Sequence, residues 1–224
     1  TTDTVNWKFC LKIGLTAVVA SWLTLASAET WRFALIGDVP YSDHERAELP
    51  AMLDAIADRH VEFVAHIGDF KHGKDRCDDA LFEDRRQLFD ASRVPFIFVP
   101  GDNEWTDCSR KSNGAYDPLE RLGKLRSLFW NKNQSLGRKK IALVRQSEKS
   151  PEHARFRVGP VLFLSLNIPG GNNNWTKTGG PSQEYLARNP LVLQWLKESF
   201  TIARHDGLAG IVILAGCSVP CLLA

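Results

Sequence analysis

Three apolar runs in the first half of the chain stop at the same kind of turn. Trp31 to Ile36 ends in Gly37-Asp38, Glu62 to Ile67 ends in Gly68-Asp69, and Val94 to Val99 ends in Pro100-Gly101-Asp102. Their length and their β-branched and aromatic content predict strands. Between the first two, Leu49, Met52, Leu53, Ile56 and Ala57 recur at helical spacing, and Pro50 is better placed near a first turn than in mid-helix. Between the second two, Leu81, Phe82, Arg85, Leu88 and Phe89 outline another amphipathic helix. Strand, helix, strand, helix, strand predicts parallel pairing through right-handed crossovers, which defines an α/β protein.

Further along, Asp117 to Trp130 reads as a helix with Pro118 at an early position, and the polar, basic Asn131 to Lys140 as a solvated surface loop. Val161 to Leu166 is a strand, followed by the irregular loop Gly170 to Trp175. Leu191 to Ala203 supplies a helix and Gly210 to Leu214 a last strand. The chain contains neither a solenoid repeat nor a low-complexity tract.

Ahead of these elements, Lys8 and Lys12 precede an apolar run from Ile13 to Leu25 that closes on Ala26-Ser27-Ala28. That layout predicts a secretory signal peptide over residues 1–28, with an uncleaved anchor as the alternative. The run is shorter than the roughly 20 apolar residues of a membrane span. No stable membrane span is therefore expected once the signal is removed, and the product is expected to be secreted or periplasmic. The 224 residues at 44% hydrophobic content then leave one domain over residues 29–224. With 28 Lys plus Arg against 26 Asp plus Glu, the net charge of +2 gives no footprint for nucleic acid, so an anionic partner needs a local site.

Export implies an oxidising compartment. Cys77 and Cys108 each lie a few residues beyond a Gly-Asp turn and meet if those turns converge. A disulfide is the preferred reading and metal ligation the weaker one. Cys217 and Cys221, in Cys-Ser-Val-Pro-Cys, have a spacing that suits either zinc or a bridge.

Loops leaving the carboxyl ends of parallel strands line the functional crevice of an open sheet. Three successive strands here deliver Asp38, Asp69 and Asp102 to that edge, and carboxylates gathered in a crevice require cations. A pair of metal ions, with one carboxylate bridging them, is the simplest neutraliser; such a pair polarises a phosphoryl oxygen and generates hydroxide. Glycine before each Asp permits the sharp turn.

Gly37-Asp38, Gly68-Asp69 and Pro100-Gly101-Asp102-Asn103-Glu104 resemble the successive motifs of the calcineurin-like metallophosphoesterases, which include the purple acid phosphatases. The resemblance implies a four-layer αββα sandwich, incomplete at its C-terminal side. It also implies a two-metal centre of zinc, iron, manganese or magnesium, divalent or trivalent, acting on a phosphate-ester substrate. By the same resemblance Asp38 binds one metal, Asp69 bridges both, and Asp102 stands where the family has an Asn ligand. Asn103 takes the place of a catalytic His. The chain departs from the pattern at Pro40, where the family often has a His, with Tyr41 and His44 as nearby substitutes. It departs again after Leu214, where no further His ligands follow. A non-catalytic secreted module that binds metal or phosphate is the alternative reading.

Lys71 and His72 follow Asp69 closely enough to reach a phosphate, though a solvated turn explains them equally. Asn173, within Asn172 to Asn174, is a candidate amide donor to substrate, though such loops also satisfy their own backbone. His66 reads as a buried, satisfied histidine, and His153 and His205 as core or surface residues. Trp105, Trp130 and Trp175 read as packing or loop anchors.

Overall fold

The computed structural model describes residues 29–176 and 179–216. The expected signal segment, with Cys10, and the pair Cys217 and Cys221 fall outside the described residues. The division between the chain's two units falls between Thr30 and Trp31. Of the first, Glu29 and Thr30 are described, exposed and without regular structure. Every element below belongs to the second.

The first half follows the alternation read from the sequence: β1 (Ala34–Ile36), α1 (Asp43–Ala57), β2 (Val64–His66), α2 (Asp79–Asp90) and β3 (Phe96–Phe98). The strands form a three-stranded sheet in the order β1-β2-β3, both pairings parallel, with Ala34 opposite Val64 and Val64 opposite Phe96. After two short 3-10 turns comes α3 (Pro118–Phe129), then β4 (Val144–Ser147), β5 (Ser150–Val158) and β6 (Val161–Leu166). The brief α4 (Gly170–Asn173) and a two-residue ribbon of β7 (Trp175–Thr176) with β8 (Gly180–Pro181) lead to α5 (Gln183–His205) and β9 (Gly210–Ala215). The second sheet runs β4-β5-β6-β9, with β9 parallel to β6 and the other pairs antiparallel.

Side-chain alternation along the strands sorts the core into layers. Val64, Phe96 and Phe98 point from the first sheet toward Leu49 and Leu53 of α1, Phe82 and Phe89 of α2, and Leu122, Leu125 and Phe129 of α3. Phe63, Ala65, Ile97 and Val99 face the other way, onto Ala154, Phe156, Phe163 and Leu214 of the second sheet. Phe63 is the hub there, edge-on to Phe156 at 5.1 Å and to Phe163 at 5.0 Å between ring centroids. The outer face of the second sheet, Leu162, Leu164 and Leu166, lies under Val192, Trp195 and Ala203 of α5. Helices, sheet, sheet and helix make the four layers expected of the αββα sandwich.

Several details differ from the sequence reading. Helix α1 starts at the cap Ser42, whose side chain accepts from the Glu45 N–H, so Pro50 lies mid-helix on the exposed side. The polar first turns extend the helix upstream of its apolar stripe, and an outward ring limits the disruption to one missing donor. Helix α5 likewise starts earlier, at Gln183, and carries an exposed Pro190. Asn131 to Lys140 is not simply a surface loop. Leu136 is buried and exchanges backbone hydrogen bonds with Phe96 at 3.0 and 2.9 Å, covering the free edge of β3. Strand β5 escaped the pattern because polar residues sit at buried positions, and β4 because its mostly polar residues are exposed or half-buried. Glu152 and His153 are both fully enclosed, the first held by Arg126 at 2.9 and 2.6 Å and the second by the Gln146 amide at 2.6 Å.

Candidate functional site

The three Gly-Asp turns come together at one edge of the first sheet. Asp38 and Asp69 have φ of 58° and 60°, a left-handed conformation that Asp tolerates better than most residues at a cost of about 1 kcal/mol. Asp38 N–H donates to the Gly68 carbonyl at 3.1 Å, joining the first turn to the second. A Cβ on Gly68 would lie 2.7 Å from the Gly101 Cα, and one on Gly101 would lie 2.1 Å from Asp69 Oδ1. Glycine is required at both positions because the second and third turns pack backbone to backbone.

The second sheet closes on the same edge. A Cβ on Gly170, just beyond β6, would lie 2.4 Å from Asp102 Oδ2. One on Gly216, just beyond β9, would lie 2.8 Å from the carbonyl oxygens of both Ile67 and Pro100. Gly171 and Asn172 to Asn174 all have positive φ, so the Gly-Asn run is a left-handed turn, which these residue types form most readily.

The electrostatics of this edge are unbalanced. Burial, then the carboxylates of Glu104, Asp102 and Asp38, push the Asp69 carboxyl far above the ordinary range, against a 3.1 Å hydrogen bond from the Asn103 N–H. Glu104 is fully buried; burial raises its pKa too, opposed by backbone donors and by Lys71. Its Oε2 accepts from the N–H groups of Asp69 at 3.1 Å and Gly101 at 2.8 Å, and its Oε1 from that of Phe70. Tyr41 donates its hydroxyl to Asp38 Oδ1 at 2.6 Å, and its phenol is raised by burial and that bond. The donor chemistry, four carboxylates without an equal set of cations, suits hard metal ions. Among the described residues, however, no three His, Cys, Asp or Glu side chains converge in a geometry ready to hold an ion.

The other residues singled out from the sequence fall as follows. Lys71 is fully enclosed and donates Nζ to the carbonyls of Asp75 at 2.9 Å and His72 at 3.3 Å, so it faces inward. Burial lowers its pKa, against the attraction of nearby carboxylates. His72 is half-buried, edge-on to Tyr41 with ring centroids 5.5 Å apart. Asn103 turns its amide to the Lys71 carbonyl at 3.1 Å. The Asn173 Oδ1 accepts from Arg188 at 2.7 Å, and Arg188 also donates to the Asn167 carbonyl at 2.9 Å. His44 is exposed on α1. Buried His66 donates Nε2–H to the Val39 carbonyl at 2.7 Å and accepts the Gly68 N–H on Nδ1 at 3.3 Å, the pattern of a neutral ring; burial lowers its pKa to about 4. His205 is exposed and paired with Asp206.

Cys77 and Cys108 form a disulfide with Cα atoms 5.8 Å apart, linking the segments that follow the second and third turns. Trp105 and Trp130 are buried, the latter stacked on Phe98, while Trp175 lies edge-on to Tyr185. A cavity of about 730 Å³ lined by Arg126, Trp130, Lys132 and Arg145 lies apart from these turns, with none of the three aspartates in its wall.

Sequence reasoning gave no role to Glu104, Gly170 or Gly216. Glu104 had a visible signal in its place within Gly-Asp-Asn-Glu. The two glycines had none, because their approach to the turns depends on how the sheets meet.

The fold and the site together define an α/β sandwich with a carboxylate-lined edge. No protein-family model matches the chain, and no curated protein matches it. Among solved structures, the chain is similar to a dimetal phosphatase from Danio rerio at 17% sequence identity and a TM-score of 0.44, covering 83% of this chain and 69% of that one.

Proposed function

We propose that this chain is an exported, metal-dependent hydrolase of phosphate esters, with Asp38, Asp69 and Asp102 holding two metal ions and Asp69 shared between them. One observation carries the proposal: Asp69 sits half-buried among Asp38, Asp102 and Glu104, and burial, then the charge of those carboxylates, raises its pKa. Bound at that edge, the ions supply Lewis-acid activation of water and neutralise phosphoryl charge.

The chain's own residues set the positions. Tyr41 fixes one oxygen of Asp38, and the Asn103 backbone fixes one oxygen of Asp69. The glycine at 170 lets the loop after β6 close against Asp102. To His72, half-buried beside Tyr41, we assign the contact with a substrate phosphate. Lys71 contributes from inside as a countercharge to Glu104. Asn103 orients the site through Asp69, and Asn173 through Arg188. Export is supported by the basic-then-apolar N-terminus and by the Cys77–Cys108 bridge, which persists in oxidising compartments.

The test is metal content of the purified full chain, followed by turnover of p-nitrophenyl phosphate and bis-p-nitrophenyl phosphate. Bound metal with turnover that is lost in Asp69→Asn is the expected result; a metal-free, inactive protein would overturn the proposal. Bound metal without turnover supports the second reading, a secreted module that binds metal or phosphate. One observation favours that reading: the Asn103 amide is engaged by the Lys71 carbonyl, leaving that position without an acid titrating near neutrality.

A further inference from the structure

We infer that Glu104 is the positioning residue that sets the spacing of Asp69 and Asp102, an inference that rests on the proposed metal-binding role of those two aspartates. Glu104 is fully buried and lies two residues after Asp102. Both of its carboxylate oxygens are engaged by backbone. Oε2 takes the N–H of Asp69 and the N–H of Gly101, the residue before Asp102, and Oε1 takes the N–H of Phe70. A single carboxylate thereby closes the turn after β2 onto the turn after β3. The reverse tie runs from the Asn103 N–H to Asp69 Oδ1 at 3.1 Å, so the two turns hold each other from both sides.

Two physical points make this a positioning role. With both oxygens enclosed and accepting three N–H donors, Glu104 is committed to the backbone of the two turns. Without it, three buried backbone donors lose their acceptor, which a folded chain avoids by moving the backbone toward another partner. The segments that would move are Asp69-Phe70 and Gly101-Asp102, which carry two of the three proposed ligands. The Cys77–Cys108 bridge restrains the same two segments further out, so the fold can survive the loss while the spacing does not.

Glu104→Gln tests this most sharply. It preserves shape and one acceptor, but turns an NH2 group toward a backbone N–H. The measurements are Mn2+ affinity of the full chain by calorimetry and residue-resolved amide exchange, on wild type, Glu104→Gln, Glu104→Ala and the control Phe82→Leu, a core change in α2. The expected result is a loss of Mn2+ affinity of about tenfold to a hundredfold in Glu104→Gln and more in Glu104→Ala. Faster exchange should be confined to Asp69, Phe70 and Gly101. The control should lower the melting temperature yet stay within about twofold of wild-type affinity. Unchanged Mn2+ affinity in Glu104→Gln, or unchanged protection of the three amides, overturns the inference. Absence of binding of Mn2+, Zn2+, Fe2+ and Mg2+ alike by wild type overturns the metal-centre reading instead; exchange at the three amides then decides whether Glu104 joins the turns.

Discussion

Breaking the Cys77–Cys108 bridge isolates one structural element of the site from the rest. The two cysteines are 31 residues apart in sequence, and closing a loop of that length removes enough unfolded-state entropy to stabilise the fold by about 4 kcal/mol at 25 °C. Native domains have only about 5–15 kcal/mol in total, so this one bond is a large share. Both cysteines are fully buried, so removing the sulfurs would also leave small voids. Urea titrations of the oxidised protein, the protein under reductant, and the double variant Cys77→Ala, Cys108→Ala separate the two effects. The reduced protein should lose about 3–4 kcal/mol through the cross-link alone. The double variant should lose somewhat more. A reduced protein within about 1 kcal/mol of the oxidised one, or alkylation mapped to both Cys77 and Cys108 in the unreduced, denatured chain, would refute the reasoning.

Other consequences follow from single contacts. Arg126→Ala leaves fully buried Glu152 without its bidentate partner and should cost about 3 kcal/mol or more in a denaturation experiment, partly restored by adding Glu152→Gln. His153 is enclosed, and burial lowers its pKa to about 4, with Arg188 and Arg126 adding to the effect and Glu152 opposing it. The unfolded chain then takes up a proton on this ring that the folded chain refuses, so its stabilising contribution is complete above about pH 6.5. It is lost as pH falls toward 4, by about 3 kcal/mol in all. His153→Gln should flatten that part of the pH–stability curve, and an unchanged slope would count against it. Gly101→Ala places a methyl 2.1 Å from Asp69 Oδ1 and should destabilise by about 1–3 kcal/mol. By contrast Gly123→Ala, on the exposed side of α3 with nothing within 4 Å, should stabilise by about 0.5–1 kcal/mol; thermal melts of the two variants should move in opposite directions.

Where the sequence was legible, one physical rule dominated. The Val94 to Val99 run is apolar because a strand between two packed layers is buried on both faces, and a Gly-Asp pair at a strand's end marks a sharp turn, left-handed at Asp38 and Asp69. Those two signals located the sheet, its parallel order and the three turns that carry Asp38, Asp69 and Asp102. Strand β5 was not legible because Glu152 and His153 are buried by partners remote in sequence, Arg126 on α3 and Gln146 on β4. Periodicity cannot report a charge neutralised from elsewhere. Lys71 shows the reverse case: a cation next to Asp69 in sequence turns out to face the interior, since its ammonium finds carbonyls there. Glu104 was visible as part of an acidic turn, but its role depends on which backbone amides lie above it, and that is set by the meeting of two turns.

The most direct test of the central claim is an anomalous diffraction map of crystals of the full chain grown with Mn2+. The account predicts two peaks at the edge of the first sheet, both in coordination contact with Asp69, one also with Asp38 and the other with Asp102. A map with no peak in contact with any of those three carboxylates would contradict it.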